Sequence, residues 1–96
     1  MNLLEWLQEW YLSQCNGRWE HSYGIRIDTL DNPGWSVFIN LKETTASNVT
    51  MPPYEHDLGD DDWMFCKVVD ETFVGYGDPK KLILILELFR KMVAHS

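Results

Sequence analysis

Residues 23–41 read YGIRIDTLDNPGWSVFINL, and this stretch decides the class of the fold. Apolar and polar side chains alternate on both sides of the tetrapeptide Asp31-Asn32-Pro33-Gly34. Alternation with a period of two is typical of a half-buried strand, because successive side chains of a strand point to opposite faces. Pro fixes φ within a turn and Gly supplies a positive φ, so the tetrapeptide predicts a tight turn. The stretch therefore predicts an antiparallel hairpin.

A helical pattern precedes this hairpin. Apolar side chains recur at a spacing of 3.6 residues from residue 3 to residue 15, which predicts an amphipathic helix. Asn2 is a suitable N-cap, and Glu5 lies three residues later, as in a capping box. Asn16-Gly17 is predicted to end the helix, since both residues tolerate the left-handed conformation that a helix stop requires.

A second helix is predicted at the other end of the chain, with Asp78 as N-cap and Pro79 as its first residue. It runs to about Ala94. Its apolar face comprises Leu82, Ile85, Leu86, Phe89, Met92 and Val93. Ile83 and Leu84 interrupt the pattern, because they fall on the polar side of the same helix.

Two more strands are predicted at residues 63–69 and 72–76, because both runs are rich in aromatic and β-branched side chains. Residues 43–62 show no sustained period, contain Pro52-Pro53 and predict a long surface loop. The order of helix, four strands and helix predicts one α+β domain over residues 1–96. We expect an antiparallel sheet of about four strands with both helices on one of its faces.

The composition limits the classes of partner. Among 96 residues, 15 are acidic and 8 are basic, which gives a formal net charge of −7. This balance argues against a nucleic-acid partner, because binding phosphates requires clustered Lys and Arg. It suits a basic partner, although acidity also serves solubility. No apolar run approaches the ~18 residues of a membrane span, and the N-terminus does not resemble a signal peptide. We therefore expect a cytoplasmic protein that contacts no membrane.

Cys15 and Cys66 raise the alternative of a small thiol-dependent enzyme, such as a sulfurtransferase. Cys15, however, lies at the end of a predicted helix, where the dipole disfavours a thiolate. Cys66 lies within an apolar strand, where cysteine is usually a small core residue. The sequence contains no phosphate loop, dinucleotide fingerprint or zinc-ligand spacing. We therefore expect no catalytic residue and no cofactor.

The segment of residues 55–62 concentrates five carboxylates and one histidine. Hard cations favour such oxygen ligands, but the spacing does not match an EF-hand loop, so no metal site is predicted. A flexible cluster of carboxylates can instead pair with Lys and Arg of another protein and steer its approach. The segment is therefore a candidate binding surface.

Several motifs form a recognisable set along the chain. They are Trp6-Leu7-Gln8-x-Trp10-Tyr11, Cys15-Asn16-Gly17-x-Trp19-Glu20-His21-x-Tyr23-Gly24, Thr29-Leu30-Asp31-Asn32-Pro33-Gly34-Trp35, Asp62-Trp63 with Cys66, and Gly75-x-Gly77-Asp78-Pro79-x-Lys81-Leu82. Together they resemble the bacterial immunity protein 53 family over nearly the whole chain except residues 43–61. The resemblance implies a small α+β protein that binds and neutralises a cognate toxin, and it brings no catalytic residues. Some similar sequences carry a rhodanese-related sulfurtransferase label.

The leading hypothesis is therefore an immunity protein that binds a toxin with a basic surface. The predicted contact residues are an aromatic anchor and eight carboxylates: Trp19, Glu20, Asp28, Asp31, Glu55, Asp57, Asp60, Asp61 and Asp62. Trp35 is assigned to the core, since it leads the apolar face of its strand. A homo-oligomeric structural protein is an alternative, and Ile83 and Leu84 are candidates for a dimer contact.

Overall fold

The computed structural model of the chain describes residues 1–94. In chain order the elements are α1 (Leu3–Gln14), α2 (Trp19–Ser22), β1 (Ile25–Leu30), β2 (Gly34–Asn40), β3 (Tyr54–Asp57), β4 (Trp63–Val69), β5 (Thr72–Gly77) and α3 (Leu82–Ala94). The predicted α+β class is confirmed, with a helix at each end and an antiparallel sheet between them. Within the described residues, no helix has the length and apolar character needed to cross a membrane.

The sheet contains five strands in the order β1-β2-β5-β4-β3, and all neighbours are antiparallel. The predicted hairpin is confirmed as β1 and β2, with Leu30 opposite Gly34. The additional strand is β3, which lies within the segment predicted as a loop. It is only four residues long and is mostly exposed, so its own pattern is too short to reveal it. Pairing with β4 supplies the hydrogen bonds that make it an edge strand.

The turn between β1 and β2 differs from the prediction in the role of its glycine. The glycines with positive φ are Gly17, Gly24 and Gly59, so Gly34 does not provide the expected left-handed residue. Instead, a Cβ atom at Gly34 would lie 2.3 Å from the carbonyl oxygen of Gly77 on the neighbouring strand β5. Position 34 requires glycine because the backbones of β2 and β5 approach each other closely there.

The two ends of α1 follow the local signals. The Glu5 backbone N–H donates to Asn2 Oδ1 at 2.9 Å, which confirms the N-cap. In a capping box the Glu5 carboxylate would accept a hydrogen bond from the Asn2 backbone N–H. Here it accepts one from the Asn2 side-chain amide instead. Gly17 has φ +87°, as expected for a residue that follows a helix stop.

The start of α3 lies three residues later than predicted. Residues 78–81 form a turn in which the Lys81 N–H donates to the Asp78 carbonyl at 3.0 Å. The Ile85 N–H then donates to the Lys81 carbonyl at 2.9 Å, so the helix proper follows Lys81. The Asp78 carboxylate does not cap the helix, because it is engaged by Trp63 N and by the Lys81 ammonium.

The hydrophobic core lies between the helices and one face of the sheet, as predicted. It comprises Leu7, Trp10, Trp19, Val37, Ile39, Leu41, Ala46, Met64, Cys66, Phe73, Ile85, Leu86, Phe89 and Met92. The Trp10 and Phe89 rings meet edge to face at a centroid distance of 5.0 Å, which joins α1 to α3. A Cβ atom at Gly75 would lie 2.5 Å from Ile85 Cγ2, so α3 lies directly on β5. The opposite face of the sheet is left uncovered by any element of residues 1–94.

Candidate functional site

The uncovered face of the sheet, here called the open face, is defined by the alternation of side chains. Val37 and Gly75 face the helices, so their neighbours along each strand point the other way. The open face is thus formed by Arg26, Asp28, Ser36, Phe38, Glu55, Phe65, Lys67, Val74 and Tyr76. Val74 and Ser36 are 6% and 5% exposed although they lie outside the core between helices and sheet. The open face therefore has a packed centre of its own.

Strand register arranges these side chains in two rows across the sheet. The first row is Asp28, Ser36, Tyr76, Phe65 and Glu55, from one edge strand to the other. The second row is Arg26, Phe38, Val74 and Lys67. Each row has an apolar or aromatic centre and charged ends, with carboxylates ending the first row and cations ending the second.

Aromatic contacts hold the centre of the open face together. Phe38 and Tyr76 meet edge to face at a centroid distance of 5.8 Å and an interplanar angle of 86°. The Lys67 ammonium lies 5.7 Å from the centroid of Phe65, within range of a cation–π interaction. These side chains are half-buried, so each presents part of its ring to solvent.

A cleft of about 470 Å³ opens at the end of the sheet, next to the first row. Its lining residues include the acidic residues Glu55, Asp57 and Asp60 and the aromatic residues Trp63 and Phe65. The structure therefore brings three of the predicted carboxylates together beside two aromatic side chains. We call this feature the acidic cleft.

The other predicted carboxylates are dispersed. Asp28 lies on the opposite edge strand, and Asp31 lies exposed in the turn that follows it. Asp61 is exposed in the turn between β3 and β4. Glu20 lies on α2, on the helix side of the sheet, where its carboxylate accepts hydrogen bonds from Asn16 N at 2.9 Å and Gly17 N at 2.7 Å. Glu20 thus stabilises a turn and lies away from the open face.

Asp62 differs from its neighbours in sequence because it has strong internal partners. Its Oδ1 atom lies 2.8 Å from Lys81 Nζ and 2.9 Å from His56 Nε2. The hydrogen bond from Lys81, followed by that from His56, holds the pKa of the Asp62 carboxyl below its usual range. Asp62 therefore connects β3 to the turn before α3.

Asp78, predicted as the N-cap of the last helix, instead stabilises the fold through several hydrogen bonds. Its fully buried carboxylate accepts hydrogen bonds from Trp63 N at 2.9 Å, Lys80 N at 2.8 Å and Lys81 Nζ at 2.7 Å. Burial alone would raise the pKa of Asp78, but these hydrogen bonds outweigh it and hold the pKa at about 2. An Asp-Pro pair before a helix reads as an N-cap, so no local signal indicated the long-range partner Trp63.

Trp19 is fully buried, and the prediction of an exposed aromatic anchor at this position is wrong. Its ring meets Trp10 edge to face at 5.9 Å, and its Nε1 donates to the Asn40 carbonyl at 3.3 Å. The amphipathic helix α1 covers it, which the pattern around Trp19 alone does not reveal. Trp35, assigned to the core, is instead half-buried outside that core, and its Nε1 donates to the Pro79 carbonyl at 3.0 Å.

Both cysteines are free thiols; Cys15 is half-buried and Cys66 is buried. Cys66 is fully buried, and burial raises the pKa of its thiol to about 12, far from a reactive thiolate at neutral pH. The Cys15 thiol donates to the Tyr11 carbonyl at 3.2 Å. Over the described part of the chain, no group of three or more His, Cys, Asp and Glu side chains is placed to hold a metal ion.

The fold and its surfaces define a small α+β domain with a charged, aromatic sheet face. The family model described as immunity protein 53 matches residues 4–94, nearly the whole length. The chain therefore belongs to the immunity protein 53 family, as its motifs indicated. No curated protein and no solved structure gives a match to the chain. Family membership supports an immunity role and suggests a non-enzymatic one.

Proposed function

We propose that this chain is an immunity protein that neutralises a cognate toxin by forming a stoichiometric complex with it. The observation that carries the proposal is the match to the immunity protein 53 family over residues 4–94. The state of Cys66 adds support, because a fully buried thiol with a pKa of about 12 is unsuited to nucleophilic chemistry. Neutralisation by binding requires only a complementary surface.

The charge of the chain favours a toxin with a basic surface. The formal net charge is −7, and Glu55, Asp57, Asp60 and Asp61 are exposed within one short segment. Such a field accelerates the approach of a cationic partner, and close charge pairs then hold it in register. A toxin that acts on nucleic acid would present such a surface, because it must itself bind phosphates.

Co-expression with a candidate toxin tests the proposal, and a toxin gene adjoining the gene of this chain would be the first candidate. We expect the chain to restore growth of cells that produce the toxin. We also expect the two purified proteins to elute together with the mass of a defined complex in size-exclusion chromatography with light scattering. Protection without a complex at micromolar concentrations would contradict neutralisation by binding.

The thiol-dependent alternative predicts a different outcome for cysteine variants. A chain carrying Cys15→Ser and Cys66→Ala should still protect cells, because neither thiol contributes to binding. Alanine at Cys66 avoids burying a hydroxyl in the core. Circular dichroism checks that the variant is folded, and a folded variant that fails to protect would favour thiol chemistry.

One observation favours self-association as a second candidate. Ile83 and Leu84 on α3 are 67% and 51% exposed, as their position in the helical pattern predicts. Two large apolar side chains side by side on a helix surface can serve a homodimer contact. Sedimentation equilibrium of the isolated protein tests this candidate. A dimer that Ile83→Ser and Leu84→Ser dissociate would support it, and a monomeric mass would count against it.

A further inference from the structure

We propose that the open face, together with the acidic cleft at its end, is the surface that contacts the toxin, and that the cleft receives an arginine or lysine side chain of the toxin. This inference rests on the proposed function and adds the place and the chemistry of the contact.

The centre of the open face has the character of an interface core. Phe38, Phe65 and Tyr76 are half-buried, and Val74 beside them is only 6% exposed although no helix covers this side. Stable interfaces place aromatic side chains at a desolvated centre and charged side chains at the rim. The two rows reproduce this order across the sheet.

The ends of the rows define a charge pattern for the partner. Asp28 and Glu55 end the first row, and Arg26 and Lys67 end the second. At the end of the sheet next to the first row, the acidic cleft adds more carboxylates, so negative charge prevails there. Arg26 lies 3.9 Å from Asp28 and offsets its charge, so the complementary surface is cationic opposite Glu55 and the cleft.

The acidic cleft has room for a basic side chain and offers groups that would bind it. It has a volume of about 470 Å³, and its lining residues include Trp63 and Phe65 together with Glu55, Asp57 and Asp60. A guanidinium or ammonium group in this cleft would be stabilised by ion pairs with the carboxylates and by cation–π interactions with the aromatic residues. Arginine suits the cleft particularly well, since its planar group can do both at once.

A second copy of this chain fits the surface less well than a basic toxin. Each copy carries a formal net charge of −7, so two copies repel each other as they approach. Arg26 and Lys67 supply two positive charges on the open face, against the carboxylates of the first row and of the acidic cleft. The toxin is therefore the occupant to which the charge pattern points.

A pair of charge reversals tests the inference with the purified toxin that the co-expression experiment identifies. Glu55→Lys alters the acidic cleft, and Glu9→Lys makes the same change at an exposed position of α1, on the other side of the sheet. We expect Glu55→Lys to raise the Kd by about tenfold or more and Glu9→Lys to change it by less than about twofold. Isothermal titration calorimetry measures both values.

A second pair of variants tests the aromatic centre. Phe65→Ala removes a ring of the open face, and Leu12→Ala removes an exposed apolar side chain of α1. We expect Phe65→Ala to raise the Kd by about tenfold or more and Leu12→Ala to leave it nearly unchanged. Thermal melts establish that the variants are folded. If Phe65→Ala does not fold, the comparison of Glu55→Lys with Glu9→Lys decides the matter, because both residues are exposed.

The outcomes separate this inference from the proposed function. If the wild-type chain binds the toxin while Glu55→Lys and Phe65→Ala have no effect, the location is wrong and the immunity function stands. Equal weakening by Glu55→Lys and Glu9→Lys would also overturn the location, because only the total charge would then matter. A homodimer that Glu55→Lys and Phe65→Ala dissociate would overturn the assigned occupant. If the wild-type chain does not bind the toxin, the proposed function fails and this inference with it.

Discussion

Asp78 links two parts of the chain that are distant in sequence. Its carboxylate accepts hydrogen bonds from Trp63 N at the start of β4 and from Lys80 N and Lys81 Nζ before α3. Lys81 Nζ also lies 2.8 Å from Asp62 Oδ1, so one ammonium bridges two carboxylates. Asp78 is fully buried, so water would not readily take the place of its carboxylate as the acceptor of these hydrogen bonds.

Neutralising this side chain should therefore destabilise the fold. We expect Asp78→Asn to lower the free energy of unfolding by about 2 kcal/mol or more, because the amide cannot accept all three hydrogen bonds and leaves Lys81 with one carboxylate fewer. Urea denaturation measures the difference. The control is Asp60→Asn, an exposed carboxylate, which should change stability by less than about 0.5 kcal/mol. Equal effects of the two changes would contradict the structural role of Asp78.

The depressed pKa of Asp78 also predicts a pH dependence. Its pKa is about 2 in the folded state, against an ordinary value of 3.8. A carboxyl whose pKa is lowered by folding stabilises the protein above its unfolded pKa, and this contribution is lost as pH falls towards the folded pKa. We expect the free energy of unfolding to fall between about pH 4 and pH 2, with a smaller slope in Asp78→Asn. Urea midpoints at a series of pH values measure the slope, and identical slopes would contradict the assignment.

Among the elements, the contact of α3 with the sheet depends on two glycines of β5. A Cβ atom at Gly75 would lie 2.5 Å from Ile85 Cγ2, and one at Gly77 would lie 2.6 Å from the Lys81 side chain. Both glycines face the helix, and neither is among the glycines with positive φ. They are therefore needed for close packing of a helix on a strand, which brings Phe89 and Ile85 into the core.

This packing predicts coupling between β5 and α3. We expect Gly75→Ala to lower the free energy of unfolding by about 1–3 kcal/mol, because the added methyl group overfills the contact with Ile85. Ile85→Ala should destabilise as well, by leaving a cavity. The double variant should lose less than the sum of the two single losses, since each change relieves the other. Strictly additive losses in chemical denaturation would contradict a direct contact.

For the molecule as a whole, the excess of 15 acidic over 8 basic side chains acts at long range. Part of this charge is paired with Lys81 within the fold, at Asp78 and Asp62. Asp60 and Asp61, by contrast, are exposed in the turn between β3 and β4. Exposed carboxylates of this kind change the rate of encounter with a cationic protein more than they change folding stability.

Removing these two charges should therefore slow binding and leave the fold intact. We expect Asp60→Asn with Asp61→Asn to reduce the association rate constant with the toxin and to flatten its dependence on salt, at an unchanged melting temperature. Glu9→Gln with Glu87→Gln removes the same charge from the helices and should have a smaller effect. Asp62 is left intact because it pairs with Lys81 and His56. Stopped-flow kinetics at several ionic strengths measures the rates, and equal effects of the two pairs would remove the turn from the binding model.

Much of the fold could be predicted because its signals are local. The alternation around Asp31–Gly34, the cap at Asn2 and the stop at Gly17 each depend on a few neighbouring residues, and all three agree with the structure. The strand Tyr54–Asp57 could not be predicted, because its four residues become a strand only through pairing with β4. The start of α3 was misplaced for a similar reason, since Asp78 binds a distant backbone group.

The sequence by itself determined the class of the fold, the principal helices and strands, and the family, because periodicity, turn residues and motifs can be read along the chain. Only the tertiary structure decided which side chains are exposed and which of them lie next to each other. It buried Trp19 under α1, engaged Asp62 with Lys81, and placed Glu55 and Phe65 in one row of the open face. The physical reason is that exposure and adjacency depend on strand register and helix packing, which join residues far apart in the chain.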